Sequence, residues 1–172
     1  KVRLVHSQNK SALLTDAFIK SVAPYSVIRT MDLQSINNSK HTNPSDIPSP
    51  NAFRFTGEVG IAPEFLGAMS VELNKPLWIN IPHLATKEYI VDFLTRLKNT
   101  LNGGHVFVET YSNESWNSMF SVHNYIKDQG TKLALAPTAY DAGMLFHAKK
   151  SSENATLVKS ILGSQCTTIL GA

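Results

Sequence analysis

The chain has one cysteine, Cys166, in 172 residues, so it can form no internal disulfide and its stability has to come from a packed core. A lone cysteine in the small polar segment SQCTT reads as an ordinary buried or half-buried side chain and carries no sign of an oxidising compartment. Basic clusters are equally scarce. Lysines and arginines are scattered, Lys149 and Lys150 form the only adjacent pair, and the net charge is +3. A nucleic-acid partner needs a basic stripe on one face, and this pattern does not supply it. No apolar run approaches the roughly 20 residues of a membrane span, and no leader peptide pattern opens the chain. Its first residue is Lys1 rather than Met, so we expect a segment upstream of it.

Two motif classes are also missing. No glycine fingerprint of the dinucleotide or phosphate-loop type follows the first strand candidate, so a nucleotide cofactor has nothing to cradle its phosphates. The 6 histidines show neither H-x-x-x-H nor H-E-x-x-H spacing, and we expect no metal and no cofactor.

What is present fits one globular domain over residues 1–172, with 42% hydrophobic and 17% charged side chains. N-glycosylation sequons begin at Asn9, Asn37, Asn113 and Asn154, which points to a secreted, extracellular glycoprotein. Strand candidates fall at 2–5, 26–32, 76–83, 105–109 and 157–162. Helix candidates alternate with them. The segment 11–25 has apolar positions Leu13, Leu14, Ala17, Phe18 and Val22 and closes at Pro24. A second helix starts near Pro63, and a third follows Thr86 as N-cap with the stripe Tyr89, Ile90, Phe93, Leu94 and Leu97. Two more cover 118–130, with Gly130 at a C-terminal position, and 138–150. Residues 34–57, dense in Asn, Ser and Pro, read as a long rim loop. Such alternation predicts an α/β fold with a parallel sheet, open and doubly wound or closed into a barrel, and in either case ligands sit at the carboxyl ends of the strands.

Those ends carry Arg29 and Asp32, then Asn80 and His83, then Tyr111, Asn113, Glu114 and Trp116. Glu114 is the informative one. A carboxylic acid beside aromatic walls loses hydration and tends to keep its proton, the state in which it can protonate a leaving sugar oxygen. Asn113 can donate to a sugar hydroxyl, and Trp116 offers a flat apolar face. The same residues also fit an ordinary strand-to-helix loop with a helix-starting Glu and a buried Trp.

The segment PLWINIPHLATKEYIVDFLTRLKNTLNGGHVFVETYSNESWN resembles a stretch of the cellulase-like superfamily of TIM-barrel glycosidases, in which W-x-N-x-P-H-L-A is followed by Y-x-x-x-F and V-Y-V-E-Y-S-N-E-x-W-N. Upstream, VIRTMDLQSINNS is similar to that group's L-R-F-M-D-W-x-x-T-N-x-S. Downstream, LVKSILGSQ is similar to its R-V-L-x-S-Q strand. These similarities run in the family's order from about residue 18 to about 166. The resemblance implies a partial (β/α)8 barrel with about five parallel strands and Glu114 as acid/base of a retaining hydrolysis. Arg29, Asp32, Asn38, Asn80, His83, Tyr111, Asn113 and Trp116 would then line a cleft for a polysaccharide.

Three departures stand out. Thr110 is an extra residue relative to the family pattern, and a one-residue insertion turns later side chains to the other face unless a bulge absorbs it. Leu33 and Gln34 stand where the family is aromatic. Retaining chemistry also needs a second carboxylate about 5–5.5 Å from the first, which in that clan lies on the seventh strand. These 172 residues run out near the fifth. We therefore expect either a hydrolase whose sheet is completed by a C-terminal half or another chain, or a non-catalytic carbohydrate-binding or assembly module.

Overall fold

Parallel strands and their intervening helices follow one another in a single direction. The computed structural model describes residues 13–52 and 57–171; the strand candidate at 2–5 and Asn9 lie outside them. Strands β1 (Ile28–Arg29), β2 (Leu77–Asn80), β3 (Val106–Glu109) and β4 (Cys166–Ile169) form one parallel sheet in the order β1-β2-β3-β4. Helix α1 (Asp16–Val22) precedes β1, while α2 (Pro63–Leu73), α3 (Lys87–Thr100) and the pair α4 (Ser121–Lys132) and α5 (Ala139–Leu162) occupy the successive connections between strands. Among the described residues no helix is long and apolar enough to cross a membrane.

Side chains alternate across a strand, so the register sorts them into two faces. Ile28, Leu77, Ile79, Val106 and Val108 share one face and pack with Leu66 of α2, Phe93 and Leu97 of α3, and Val158 of α5 in the main core. Arg29, Trp78 and Phe107 sit side by side on the opposite face, with Glu109 beside Asn80 and Ile169 one step further along. This second face is only partly covered: Trp78, Phe107 and Ile169 are half-buried and Thr167 is exposed. A smaller core of Tyr111, Val122, Ile126 and Phe146 joins α4 to α5.

Helix α3 forms as its sequence dictates. Thr86 caps it by accepting from Tyr89 N at 3.2 Å, and all five stripe residues are buried. Helix α2 has Pro63 in its first turn and ends at Asn74 in the left-handed region, φ 50°.

Other expectations need correction. The predicted strand at 157–162 is the last part of α5, which runs 24 residues rather than stopping at 150. Val158 and Leu162 are one helical turn apart and both buried, and Gly163 at φ 60° ends the helix before β4. The sheet accordingly has four strands among the described residues. The segment 26–32 yields only two strand residues. Thr30 N still donates to Trp78 O, but Gln34 N then folds back onto Thr30 O and closes a turn. Helix α1 begins only at Asp16 because Thr15 caps it, while Leu13 and Leu14 N–H groups donate to the Glu72 carboxylate. Phe18, read as part of its apolar stripe, is exposed; Ile19 and Val22 are the helix residues that pack on the core. Gly130 lies inside α4, where a Cβ would fall 2.1 Å from Ala142 O, so its smallness serves the close approach of α5 rather than a helix end.

Candidate functional site

The carboxyl ends of the four strands open onto a hollow of about 420 Å³ lined by Arg29, Trp78, Glu109, Asn113, Glu114 and Ile169, with Leu170 and Gly171 at its margin. Arg29 leaves β1 pointing across the sheet. Its Nη2 donates to Asn113 Oδ1 at 2.6 Å and to Glu109 Oε2 at 3.4 Å, and the guanidinium lies 5.3 Å from the centre of the Trp78 ring. Glu109, at the end of β3, is 3% exposed and also accepts from Trp78 Nε1 at 3.1 Å. A guanidinium only donates, so the atom it meets on Asn113 is the carbonyl oxygen. That leaves Asn113 Nδ2 to donate to Asn37 Oδ1 at 3.0 Å.

Glu114 sits just past this chain of contacts. Its backbone is left-handed at φ 43°, as is that of Ser112 at φ 58°. Those two positive φ values follow Thr110, whose N–H donates to Ile169 O and continues the ladder past β3. The turn brings Asn113 and Glu114 to the same hollow as Glu109. Glu114 is half-buried, and its Oε2 accepts from Asn117 Nδ2 at 3.0 Å.

Of the sequence candidates, Arg29, Asn113 and Glu114 are thus brought together. The others are not. Tyr111 is 1% exposed and packs edge-on against Phe146 and His147 in the α4–α5 core. Burial raises its phenol's pKa far above the usual value. His83 is buried edge-on to Tyr125 at 5.3 Å, and burial lowers its pKa to about 4, so it is a neutral imidazole at pH 7. Asn80 is fully buried, and its Nδ2 donates to Ser112 O at 2.7 Å, tying the ends of β2 and β3 together. Asn38, at φ 59°, accepts from Ser121 N at 2.7 Å and so serves the first turn of α4. Asp32 is exposed and lines a separate hollow with Asn37, Lys40 and Glu58. Trp116 is 51% exposed and stands outside the Glu114 hollow.

Sequon positions are also placed. The amide nitrogen of Asn113 is held by Asn37, and that of Asn154 donates to Thr110 O at 2.8 Å inside the fold. A glycan on either nitrogen would require withdrawing it from that bond and from a buried position. Asn37 is half-buried.

Of the hollow's charged and aromatic residues, Glu109 and Trp78 were not singled out from sequence. A signal existed: each stands at an alternating position of an apolar strand, on the face opposite the isoleucines and valines of the core. Around the site, Asn80 Oδ1, His83 Nδ1, Tyr111 OH, Ser112 Oγ and Ser115 Oγ are buried with no hydrogen-bond partner among the described residues. Unpaired buried polar groups cost stability, and here they gather at the strand ends. No group of three or more His, Cys, Asp or Glu that could hold a metal ion occurs among the described residues.

No family model matches this chain, and neither does any curated protein or solved structure.

Proposed function

We propose that the hollow at the strand ends is a carbohydrate site, and that the chain is the N-terminal part of a glycosidase-like (β/α)8 barrel with Glu114 as acid/base. One observation carries this reading: the neighbours Asn113 and Glu114 and the sequence-distant Arg29, which the fold brings to them, meet beside the Trp78 ring where a parallel sheet places its ligands. An indole with a cation on one side and polar side chains around it suits a pyranose, which stacks its apolar face and hydrogen-bonds its rim. Strands added in sequence order with one partly uncovered face also suit a sheet that further strands would close, supplied by a C-terminal half or by another chain. In that role Glu114 protonates the glycosidic oxygen as a second carboxylate, supplied by the completing strands, attacks the anomeric carbon and the glycosidic bond breaks. It then takes a proton from the water that displaces that carboxylate. The test is hydrolysis of a polysaccharide panel by the chain joined to its completing strands. We expect Glu114→Gln to reduce turnover at least about 100-fold while leaving the fold intact. A completed protein inactive on every glycan, or a fully active Glu114→Gln variant, would exclude this mechanism.

A second reading, glycan binding without cleavage, is favoured by the state of Glu109. It is the other carboxylate in the hollow, and it is buried and bound to Arg29 and Trp78 rather than free to attack a sugar carbon. Binding to the same panel without product release identifies that case.

A further inference from the structure

Resting on the carbohydrate reading, the charge arrangement of the hollow narrows what it can accept. With Glu114 ionised, two carboxylates against one guanidinium leave the hollow with one uncompensated negative charge, in a chain whose total is +3; with the proton it donates as an acid in place, Glu109 and Arg29 balance. Arg29 is the group that an anionic sugar would seek, since its side chain is 45% exposed. That cation is already engaged by Glu109 and Asn113, with Trp78 against it. Glu109 cannot easily swing away. Trp78 Nε1 holds Oε2, and Gly171 lies so close to the other oxygen that any Cβ there would fall 2.0 Å from Oε1. His147, which feels the Glu109 charge, adds no compensating cation, because burial keeps it below its ordinary pKa. Among the described residues, the Glu114 carboxylate has only the neutral Asn117 side-chain amide as a hydrogen-bond partner.

We infer that Glu109 is a specificity-determining residue: by occupying Arg29 it denies a uronate or sulfated sugar its cation, so the hollow takes uncharged pyranoses and rejects anionic ones. The discrimination is electrostatic and therefore depends on salt. One unit charge a few ångströms from a ligand carboxylate, at an effective dielectric between protein surface and water, changes affinity by about tenfold.

The experiment titrates the chain calorimetrically with neutral cello-, xylo-, manno- and chitohexaose and with hexagalacturonate, at about 20 mM and about 300 mM salt. We expect a neutral hexaose to bind with little salt dependence. Hexagalacturonate should bind at least about tenfold more weakly at low salt and gain affinity as salt screens the repulsion. In Glu109→Gln the ratio of anionic to neutral affinity should rise about tenfold. Hexagalacturonate binding as tightly as the best neutral sugar at low salt, losing affinity with added salt, or keeping an unchanged ratio in Glu109→Gln overturns the inference and leaves the carbohydrate reading standing. Should Glu109→Gln fail to fold, the two salt arms on the unaltered chain decide. Binding of none of the sugars sinks the carbohydrate reading and this inference together.

Discussion

His83 and Trp78 show how a single side chain's role depends on where the fold turns it. A histidine just past an apolar strand reads equally as rim or as core; contact with Tyr125, far along the chain in α4, makes it core. The consequence is a pH dependence. Its pKa falls from 6.5 to about 4 in the folded state through burial, so the folded chain resists a proton that the unfolded chain accepts. Stability from this residue is complete above about pH 6.5 and is lost as pH falls towards about 4. His41 and His147, also lowered by burial, act in the same direction. Urea denaturation at about pH 7 and about pH 4 should show the chain losing roughly 2–3 kcal/mol more than His83→Gln does over that interval. Parallel losses in the two proteins would mean that His83 takes up its proton as readily folded as unfolded. Tryptophan placement taught the converse lesson. Trp116, named from the sequence as a sugar platform, is exposed and outside the hollow, whereas Trp78, a strand residue given no site role, faces it. Alternation along β2 was legible, but which face turns towards the hollow is fixed by register against β1 and β3, which no local pattern records.

Among the elements, those with strong periodicity and a cap were readable, as α3 illustrates with Thr86 and its five buried stripe residues. The stretch 157–162 was misread because a short apolar run fits a strand and a helix equally. Its partners, α3 among them, are distant in sequence, and Val158 and Leu162 join the main core from one side of a helix. The two glycines at the α4–α5 crossing were likewise invisible as packing residues. A Cβ on Gly130 would run into the Ala142 carbonyl, and one on Gly143 would lie 3.1 Å from the Lys127 backbone. Gly130→Ala should therefore destabilise the chain by about 1–3 kcal/mol, although alanine favours an isolated helix by about 1 kcal/mol. Thermal denaturation of the variant checks this, and a raised midpoint would show that the helices can part without loss.

For the molecule as a whole, alternation of strands and helices was enough to give a parallel α/β sheet, while the number of strands and the fate of the exposed face were not local properties. The sheet order makes β2 and β3 central and leaves β1 and β4 each with one strand neighbour among the described residues. Hydrogen exchange on the 172-residue chain should find amides of β2 and β3 protected at least about 100-fold more than those of β4. Equal protection of β4 would mean that something pairs with its outer side. One helix bears on both ends of the hollow. Asn154 of α5 grips Thr110 O beyond β3, and His147 of the same helix meets Gly171 O beyond β4. These two side chains are seven residues apart, close to two turns, so they project from one side of α5 about 10 Å apart along its axis. Helical pitch thus works as a caliper, setting the gap between two neighbouring rims independently of the loops that decorate them. Substitutions in those loops can therefore retune what the opening admits without altering its width.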